Sequence, residues 1–400
     1  MISISNLQIY NRSGTIEHVK SLAFNRNATS TGETQALQYI ENALMEGNIK
    51  TKVEHFNWTS PIRILMRLSY VITLTYLIIF RLLLLIVTYF IIKNFFERTR
   101  NLSFVNKEES KNIFAKILSK DQTPDRPLVI LTAHYDSISL NIPYKLQVII
   151  FFIYRLIILF YILISIIFSS LLILDYLDIG PLSNFAFTLI SFSSITGVFV
   201  SIPILFLVFF ESSSSGSIDN ASGVSILIEL AKLFKKNPLN NMDLLFIWTG
   251  AEEWGMKGSK KFCGRYFKSL KNEYDLNRSY NINIDMVGSY IGLLNKIGFI
   301  RRKMNYNLND IIEATAKQLK IPIVKFNKII KPKSDYKMFK RYARRGRTKL
   351  QVSCFHSAKD SKFIHSLKDT PDKCSIENLN GCLNICSQTL RSIDLRLEKV

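Results

Sequence analysis

Three long apolar blocks constrain the fold of this chain more than any other feature of its sequence. They cover residues 68–92, 147–174 and 185–210. Arg155 is the only charged residue of the second block, and the third block carries no charge. A helix needs roughly 20 apolar residues to cross the hydrocarbon core of a bilayer, and each block reaches that length. We therefore predict transmembrane helices inserted into the chain.

The second and third blocks are predicted to form a transmembrane helical hairpin over residues 146–211. The link between them, DYLDIGPLSN, carries two acidic residues and no Lys or Arg, as expected of a short turn. The first block, within the apolar insert 61–97, is barely long enough for two crossings and contains no Gly or Pro turn. A short hairpin turning near Arg81 is favoured for it, and a helix lying in the membrane interface remains an alternative.

Charges beside the blocks predict their orientation. Lys93, Arg98, Arg100 and Lys145 flank the blocks, whereas the link at 175–184 has no basic residue. By the positive-inside rule, the remaining domain of this integral membrane protein is expected on the cytoplasmic side.

Composition limits the partners and the kinds of site. The formal net charge of +21 is compatible with attraction to the anionic headgroups of a lipid bilayer. No nucleic acid is expected as a partner, because the basic residues are scattered and no recognised nucleic-acid motif accompanies them. The five cysteines lack paired C-x-x-C spacing, which argues against a disulfide framework and a cysteine zinc site. The first residues do not have the pattern of a signal peptide, and nothing in the sequence sets the oligomeric state.

Outside the blocks, strand and helix patterns alternate. Strands are predicted at 50–58, 127–132, 243–249 and 280–288. Helices are predicted within 15–47, over 223–234 and 307–319, and in the tail from Ser375. Short apolar strands that alternate with helices are typical of an α/β fold, here a mixed, largely parallel β-sheet sandwiched by helices.

Side chains that can bind a metal follow the predicted strands. They are His134 and Asp136 in an H-x-D pattern, Asp219 in DNASGV, the pair Glu252 and Glu253, Asp285, and the late histidines His356 and His365. The carboxyl ends of parallel strands meet at one edge of a sheet, so these groups are expected to lie close together. Imidazole and carboxylate are ligands that zinc takes. A pair of metal ions needs a bridging carboxylate and terminal ligands for each ion, and this set suffices.

Each signal is weak when it stands alone. An H-x-D pattern is more often incidental than a ligand, two adjacent glutamates are usually solvated, and Asp219 could simply cap the helix after it. The order of the groups and their placement at strand ends favour the metal site. One glutamate of the pair can then bind metal while its neighbour stays free as a general base, and Asp136 can orient the imidazole of His134. His18 and His55 are expected to be structural residues.

The motifs AHYDS, DNASGV, GAEEWGMKGS, NIDMVG, SDYKMF and IHSLKDTPD together resemble the co-catalytic di-zinc aminopeptidase family. That family of zinc exopeptidases includes aminopeptidase Y, glutamate carboxypeptidase II and, as a divergent branch, glutaminyl cyclase. The resemblance covers residues 15–60, 98–140 and 212–395. It implies a zinc-exopeptidase fold with two zinc ions per chain, acting on peptides that have a free N-terminus.

The resemblance also implies a role for each site residue. His134 and Asp285 are expected as terminal ligands of one zinc, and Glu253 and His365 of the other. Asp219 is expected to bridge the two ions.

Glu252 matches the family's general base, which takes a proton from the attacking water and returns it to the leaving amine. Asp136 matches the family's acidic residue beside the metal ligands. Two alternatives stay open: a single-zinc acyltransferase similar to glutaminyl cyclase, and a non-catalytic membrane receptor or scaffold on the same fold.

Two positions bear on how closely the chain follows the family pattern. His356 and His365 have near-identical surroundings, and His365 fits the family pattern better because Asp-Thr follows after three residues. Tyr336 stands where the family usually has His after Ser-Asp, which predicts a change in substrate specificity and leaves the metal ligands intact.

The inserts also define the expected domain organisation. His134 and Asp219 are 85 positions apart and must reach the same metal pair, so the chain between them must return to the side it left. We therefore expect one peptidase domain, built from residues 1–60, 98–145 and 212–400, that is interrupted by the inserts at 61–97 and 146–211.

Overall fold

The computed structural model describes residues 10–11, 13–58, 108–138, 214–329 and 333–398, with single positions between 149 and 192. The chain divides into two units. Unit 1 comprises Met1–Trp58, Glu109–Ser139 and Ser212–Val400, and unit 2 comprises Thr59–Glu108 and Leu140–Glu211. The three apolar blocks belong to unit 2 and lie outside the described residues, apart from those single positions. Within the described part of the chain, no helix is both long and apolar enough to span a bilayer.

The described strands form one nine-stranded sheet. In chain order they are β1 (Thr51–Trp58), β2 (Glu108–Ile117), β3 (Leu128–His134), β4 (Asp243–Thr249), β5 (Tyr280–Ile284), β6 (Gly292–Ile297), β7 (Arg302–Lys303), β8 (Val324–Lys328) and β9 (Gln351–Phe355). The order across the sheet is β1-β2-β4-β3-β5-β9-β6-β7, and β8 pairs with β6.

The centre of the sheet is parallel. Strand β3 pairs in parallel with β4 and β5, and β5 pairs in parallel with β9. Strand β2 joins β4, and β6 joins β9, in antiparallel orientation. Every residue of β3 and β4 is buried, because helices cover both faces of the sheet. The carboxyl ends of β3, β4, β5 and β9 therefore lie along one edge, which we call the carboxyl edge.

Two helical layers cover the sheet. The described helices are α1 (Gly14–Ser21), α2 (Thr31–Glu46), α3 (Ser222–Lys236), α4 (Lys257–Glu273), α5 (Leu308–Gln318), α6 (Tyr336–Arg345) and α7 (Ile376–Leu397). Helix α3 packs on β3, β4 and β5, and α1, α2 and α7 pack on α3. Helix α6 packs on β5 and β9 and contacts α4, with Phe262, Phe267 and Phe339 in the apolar core of this side.

The predicted α/β sheet between helices is therefore confirmed. All the strands and helices predicted outside the apolar blocks are present near their expected positions. Five strands (β2, β6, β7, β8 and β9) and two helices (α4 and α6) had not been predicted. Of these, β9 extends the parallel centre of the sheet, and the loop after β9 carries His356 and His365.

Candidate metal centre

Polar side chains from five parts of the fold converge at the carboxyl edge. His134 is the last residue of β3, and Asp285 follows β5 directly. Glu252 and Glu253 lie in the turn between β4 and α4, Asp219 lies just before α3, and His365 lies in the loop between β9 and α7. The parallel arrangement of β3, β4 and β5 explains why residues far apart in sequence meet here.

His134 faces two of the predicted carboxylate ligands. Its Nε2 atom lies 3.0 Å from Oδ1 of Asp219 and 3.7 Å from Oδ1 of Asp285. Its Nδ1 atom lies 3.1 Å from the main-chain oxygen of Asp136. Because a carbonyl oxygen can only accept, Nδ1 must carry the proton of this hydrogen bond. In the neutral imidazole, the lone pair of Nε2 is then directed to the side of the carboxylates, as a metal ligand requires.

His365 faces the other oxygen of Asp219. Its Nε2 atom lies 3.3 Å from Oδ2 of Asp219 and 3.0 Å from Oε2 of Glu253. The two oxygens of Asp219 therefore face two different imidazoles, His134 on one side and His365 on the other. The structure thus brings all five predicted ligands together in two groups that share Asp219.

Asp136 organises the adjacent glutamate pair. Its buried carboxylate accepts the backbone N–H of Glu252 at Oδ1 (3.0 Å) and the backbone N–H of Glu253 at Oδ2 (3.1 Å). The same carboxylate is 3.6 Å from Nδ1 of His134, farther than the carbonyl oxygen of its own residue. The closer contact of His134 is therefore with the main-chain oxygen of Asp136, and the Asp136 carboxylate mainly holds the two glutamate amides.

The two glutamates are buried acids with unused oxygens. Among the described residues, Oε1 of Glu252 and Oε1 of Glu253 have no hydrogen-bond partner. Burial raises the pKa of Glu252 well above its usual value and raises the pKa of Glu253 to about 7. Burial acts in the same direction on Asp219, but the bonds from His134 and His365 outweigh it and hold the pKa of Asp219 below its usual value.

This set of donors fits a divalent cation. His134, Asp219 and Glu253 each offer an atom, and these atoms all lie within 4.8 Å of one another. A buried carboxylate oxygen without a partner is costly unless a cation or a proton satisfies it. Imidazole nitrogens combined with carboxylate oxygens are the donors of zinc sites. The chemistry of the site therefore agrees with the zinc predicted from the sequence.

Asp335 is a further buried acid beside the glutamate pair. It lies just before α6 and accepts a hydrogen bond from Oγ1 of Thr249, the last residue of β4. Burial raises the pKa of Asp335 to about 6, and its charge contributes to the raised pKa of Glu252. The motif SDYKMF contains Asp335, to which no role was assigned from the sequence.

The remaining candidates occupy different places. Nδ1 of His356 lies 3.2 Å from the main-chain oxygen of Asp285, so this histidine contacts a predicted ligand and not the Asp219–Glu253 group. Tyr336, the first residue of α6, is fully buried and belongs to the apolar core on this side of the sheet. His18 contacts Tyr39 and a buried glutamate of α3, consistent with a structural role.

Comparisons with known proteins agree with this geometry. Residues 201–390 match the sequence pattern of peptidase family M28. Aminopeptidase YwaD of Bacillus subtilis (strain 168) is 39% identical over 77 residues, which are 19% of this chain and 16% of that protein. The match thus spans a small part of that relative's length.

The fold is shared more widely than the sequence. The zinc aminopeptidase BSAP from Bacillus subtilis superposes with a TM-score of 0.56 at 14% identity, covering 96% of both chains. The glutaminyl cyclase of Fimbriiglobus ruber superposes with a TM-score of 0.57 at 12% identity, covering 97% of this chain and 98% of that one. At such low identity these superpositions establish the fold alone. The relation to peptidase family M28 rests on the sequence match over residues 201–390, which is just under half of the chain.

Proposed function

We propose that this protein is a zinc metallo-aminopeptidase that removes the N-terminal residue of peptides. The observation that carries the proposal is the position of Asp219, whose two carboxylate oxygens face His134 and His365 separately. A carboxylate placed in this way can bridge two cations, as in metal pairs that catalyse hydrolysis.

The five ligands would hold two zinc ions. His134 and Asp285 would bind one ion, Glu253 and His365 would bind the other, and Asp219 would be shared. When bound, zinc supplies Lewis-acid polarisation of the scissile carbonyl and lowers the pKa of water at the site.

Glu252 is the proposed general base. Asp136 fixes its backbone through the N–H group, and Oε1 of Glu252 has no partner among the described residues. This oxygen can therefore accept a proton from the attacking water while the water oxygen bonds to the carbonyl carbon. Glu252 then returns the proton to the amide nitrogen as the C–N bond breaks, which releases the amine.

The partial exposure of His365 indicates where a substrate can enter the site. His134, Asp219 and Asp285 are nearly fully buried, whereas the side chain of His365 is 17% exposed. A peptide would thus approach from the side of His365. The aminopeptidases among the similar proteins support a substrate with a free amino group.

A panel of aminoacyl amide reporters tests this proposal in purified full-length protein, with N-acetylated versions as controls. We expect zinc-dependent hydrolysis of the free reporters and at least about tenfold less of the acetylated ones, since each 1.4 kcal/mol of lost recognition is a factor of ten. Equal hydrolysis of both sets would exclude an aminopeptidase.

Glutaminyl cyclase activity is the second candidate, favoured by the similar fold of that enzyme from Fimbriiglobus ruber. A reporter that begins with Gln distinguishes the two reactions, because cyclisation releases ammonia and leaves the peptide bond intact. One zinc per chain, with cyclisation and without hydrolysis, would establish the cyclase. A protein that binds zinc but carries out neither reaction would favour a receptor or scaffold.

The membrane location is proposed from the apolar blocks. Described positions between 149 and 167 are helical, and the seven large apolar side chains among them are exposed: Ile149, Phe152, Ile153, Leu156, Leu159, Leu163 and Ile167. Exposed apolar side chains of this kind favour contact with lipid. Resistance of the protein to carbonate extraction from cell membranes would support insertion, and its release would contradict it. Protease accessibility of unit 1 in sealed vesicles would test the proposed cytoplasmic orientation.

A further inference from the structure

We infer that Arg26 is a positioning residue for the metal centre, which ties the loop that carries Asp219 to the strand end that carries His134. This inference rests on the proposed zinc site. Arg26 lies in the loop between α1 and α2, and its side chain is fully buried. The sequence alone gave no role to this residue.

Arg26 binds the chain directly after β3. Its Nε atom donates to the main-chain oxygen of Tyr135 (2.7 Å), and its backbone N–H donates to Oγ of Ser137 (3.0 Å). In return, the backbone N–H of Ser137 donates to the carbonyl oxygen of Arg26 (3.2 Å). These three bonds fix the segment that immediately follows His134 and contains Asp136.

The other end of the guanidinium binds the chain before Asp219. Nη1 donates to the main-chain oxygen of Ser215 (2.7 Å), and Nη2 donates to the main-chain oxygen of Gly216 (2.9 Å). The approach is close, because a Cβ atom on Gly216 would lie 2.8 Å from Nη2 of Arg26 and 2.5 Å from Cβ of Ser137. Gly216 also has a φ of +55°, which favours glycine at this position.

Asp369 binds the next part of the same loop. Its carboxylate accepts the backbone N–H groups of Ile218 (2.6 Å) and Asp219 (3.2 Å). The loop from Ser215 to Asp219 is thus fixed by the cation of Arg26 at one end and the anion of Asp369 at the other. Both contacts are made to the main chain, so they set the position of the Asp219 side chain without touching it.

Arg26 joins two segments that lie far apart in the sequence. Ser137 follows His134 by three positions, Ser215 precedes Asp219 by four, and 78 positions separate the two serines. Arg26 hydrogen-bonds to both, through its backbone N–H to Ser137 and through its guanidinium to Ser215. The planar fork of arginine can join them, whereas the single ammonium group of lysine cannot make the same set of bonds.

The test compares Arg26→Lys, which keeps the charge, and Arg26→Met, which removes it, in the purified full-length protein. Zinc affinity is measured by competition with a chromophoric chelator, and kcat and KM are determined separately. Loss of an outer partner of a metal site typically weakens metal binding by about 10- to 100-fold, and we expect that loss in both variants. We also expect kcat to fall more than KM changes.

Arg126→Lys is the matched control. Arg126 also binds through its guanidinium, and its Nη2 atom lies 2.7 Å from Oδ2 of Asp243. Asp243 is at the amino end of β4, opposite the carboxyl edge. This variant should lose thermal stability and keep the zinc affinity of the wild type. Should both Arg26 variants fail to fold, Ser137→Ala removes only one hydroxyl contact of Arg26 and should weaken zinc binding several-fold.

The inference would be overturned if the Arg26 variants fold and bind zinc as tightly as the wild type. If they do not fold, a folded Ser137→Ala with wild-type zinc affinity would overturn it. A wild-type protein that binds no zinc would be a different result, since it would refute the proposed metal centre itself.

Discussion

Oδ1 of Asp219 lies 3.0 Å from Nε2 of His134, although 85 positions separate the two residues in the sequence. Strand β3 delivers the histidine to the carboxyl edge, and the loop before α3 delivers the aspartate. The contact exists because both segments end at the same edge of a parallel sheet.

Substitution of the shared carboxylate should remove both metal ions. Asp219→Ala removes the carboxylate that lies between His134 and His365, so each ion loses a ligand. We expect the zinc content of the purified protein to fall from two to below one per chain, with hydrolysis reduced by at least about 100-fold. Elemental analysis together with a thermal melt, which checks folding, provides the measurement.

Glu252→Gln should separate chemistry from metal binding. The amide has nearly the shape of the carboxylate but cannot act as a base, so kcat should fall by about 100- to 10,000-fold. Zinc content should stay at the wild-type level because Glu252 is not a proposed ligand. A variant that retains wild-type kcat would remove Glu252 from the mechanism.

The two late histidines should behave differently. His365→Ala should lose the zinc ion held with Glu253, since the imidazole lies 3.0 Å from that carboxylate. His356→Ala should retain both ions, because its Nδ1 atom contacts the main-chain oxygen of Asp285. Zinc content measured in the two variants decides which histidine is the ligand. Loss of zinc only in His356→Ala would assign that role to His356.

Asp136→Asn should disturb the glutamate pair without removing a ligand. An amide side chain can accept only one of the two backbone N–H groups that Asp136 now binds, so the turn at Glu252 and Glu253 loses a fixed contact. We expect kcat to fall by about 10- to 100-fold. Asp121 lies on an exposed loop, so Asp121→Asn serves as the control and should leave kcat unchanged.

A buried acid at the opposite end of the sheet should control the pH dependence of stability. Burial alone would raise the pKa of Asp243, but hydrogen bonds from Arg126, Ser119 and Tyr274 hold it below its usual value. Because its pKa is lowered in the folded state, Asp243 stabilises the fold above a pH of about 4. This contribution is lost as the pH falls further.

Asp243→Asn should therefore lower the free energy of unfolding by about 3 kcal/mol at pH 7, the cost of leaving a buried partner unpaired. Thermal unfolding from pH 7 down to pH 3 should show the wild type and the variant converging. A constant difference over this range would show that the charge of Asp243 is not the cause.

The convergence of the candidate ligands could be predicted from the sequence, because their chemistry and their place near strand ends are both visible in it. His134 follows the apolar run at 127–132, and Asp285 follows the run at 280–284, so the sheet explains their meeting. The choice of His365 over His356 rested on the spacing of the residues after it. The structure agrees with that choice through the contact of His365 with Glu253.

Arg26 and Asp335 could not be predicted in the same way. Arg26 lies in an irregular loop, and its partners are main-chain carbonyl groups, which have no signature in a sequence. Asp335 was visible in a motif, but its closeness to Glu252 depends on how α6 packs against the sheet. Strand β2 was missed because polar and apolar residues mix along EESKNIFAKI without a clean alternation.

The most direct test of the account is to measure hydrolysis of an aminoacyl amide reporter by the metal-free protein as zinc is added back. Activity should rise with bound zinc and reach its maximum at two ions per chain. Glu252→Gln should bind the same two ions and remain inactive. Full hydrolysis by the metal-free protein, or by Glu252→Gln, would contradict the proposed zinc aminopeptidase.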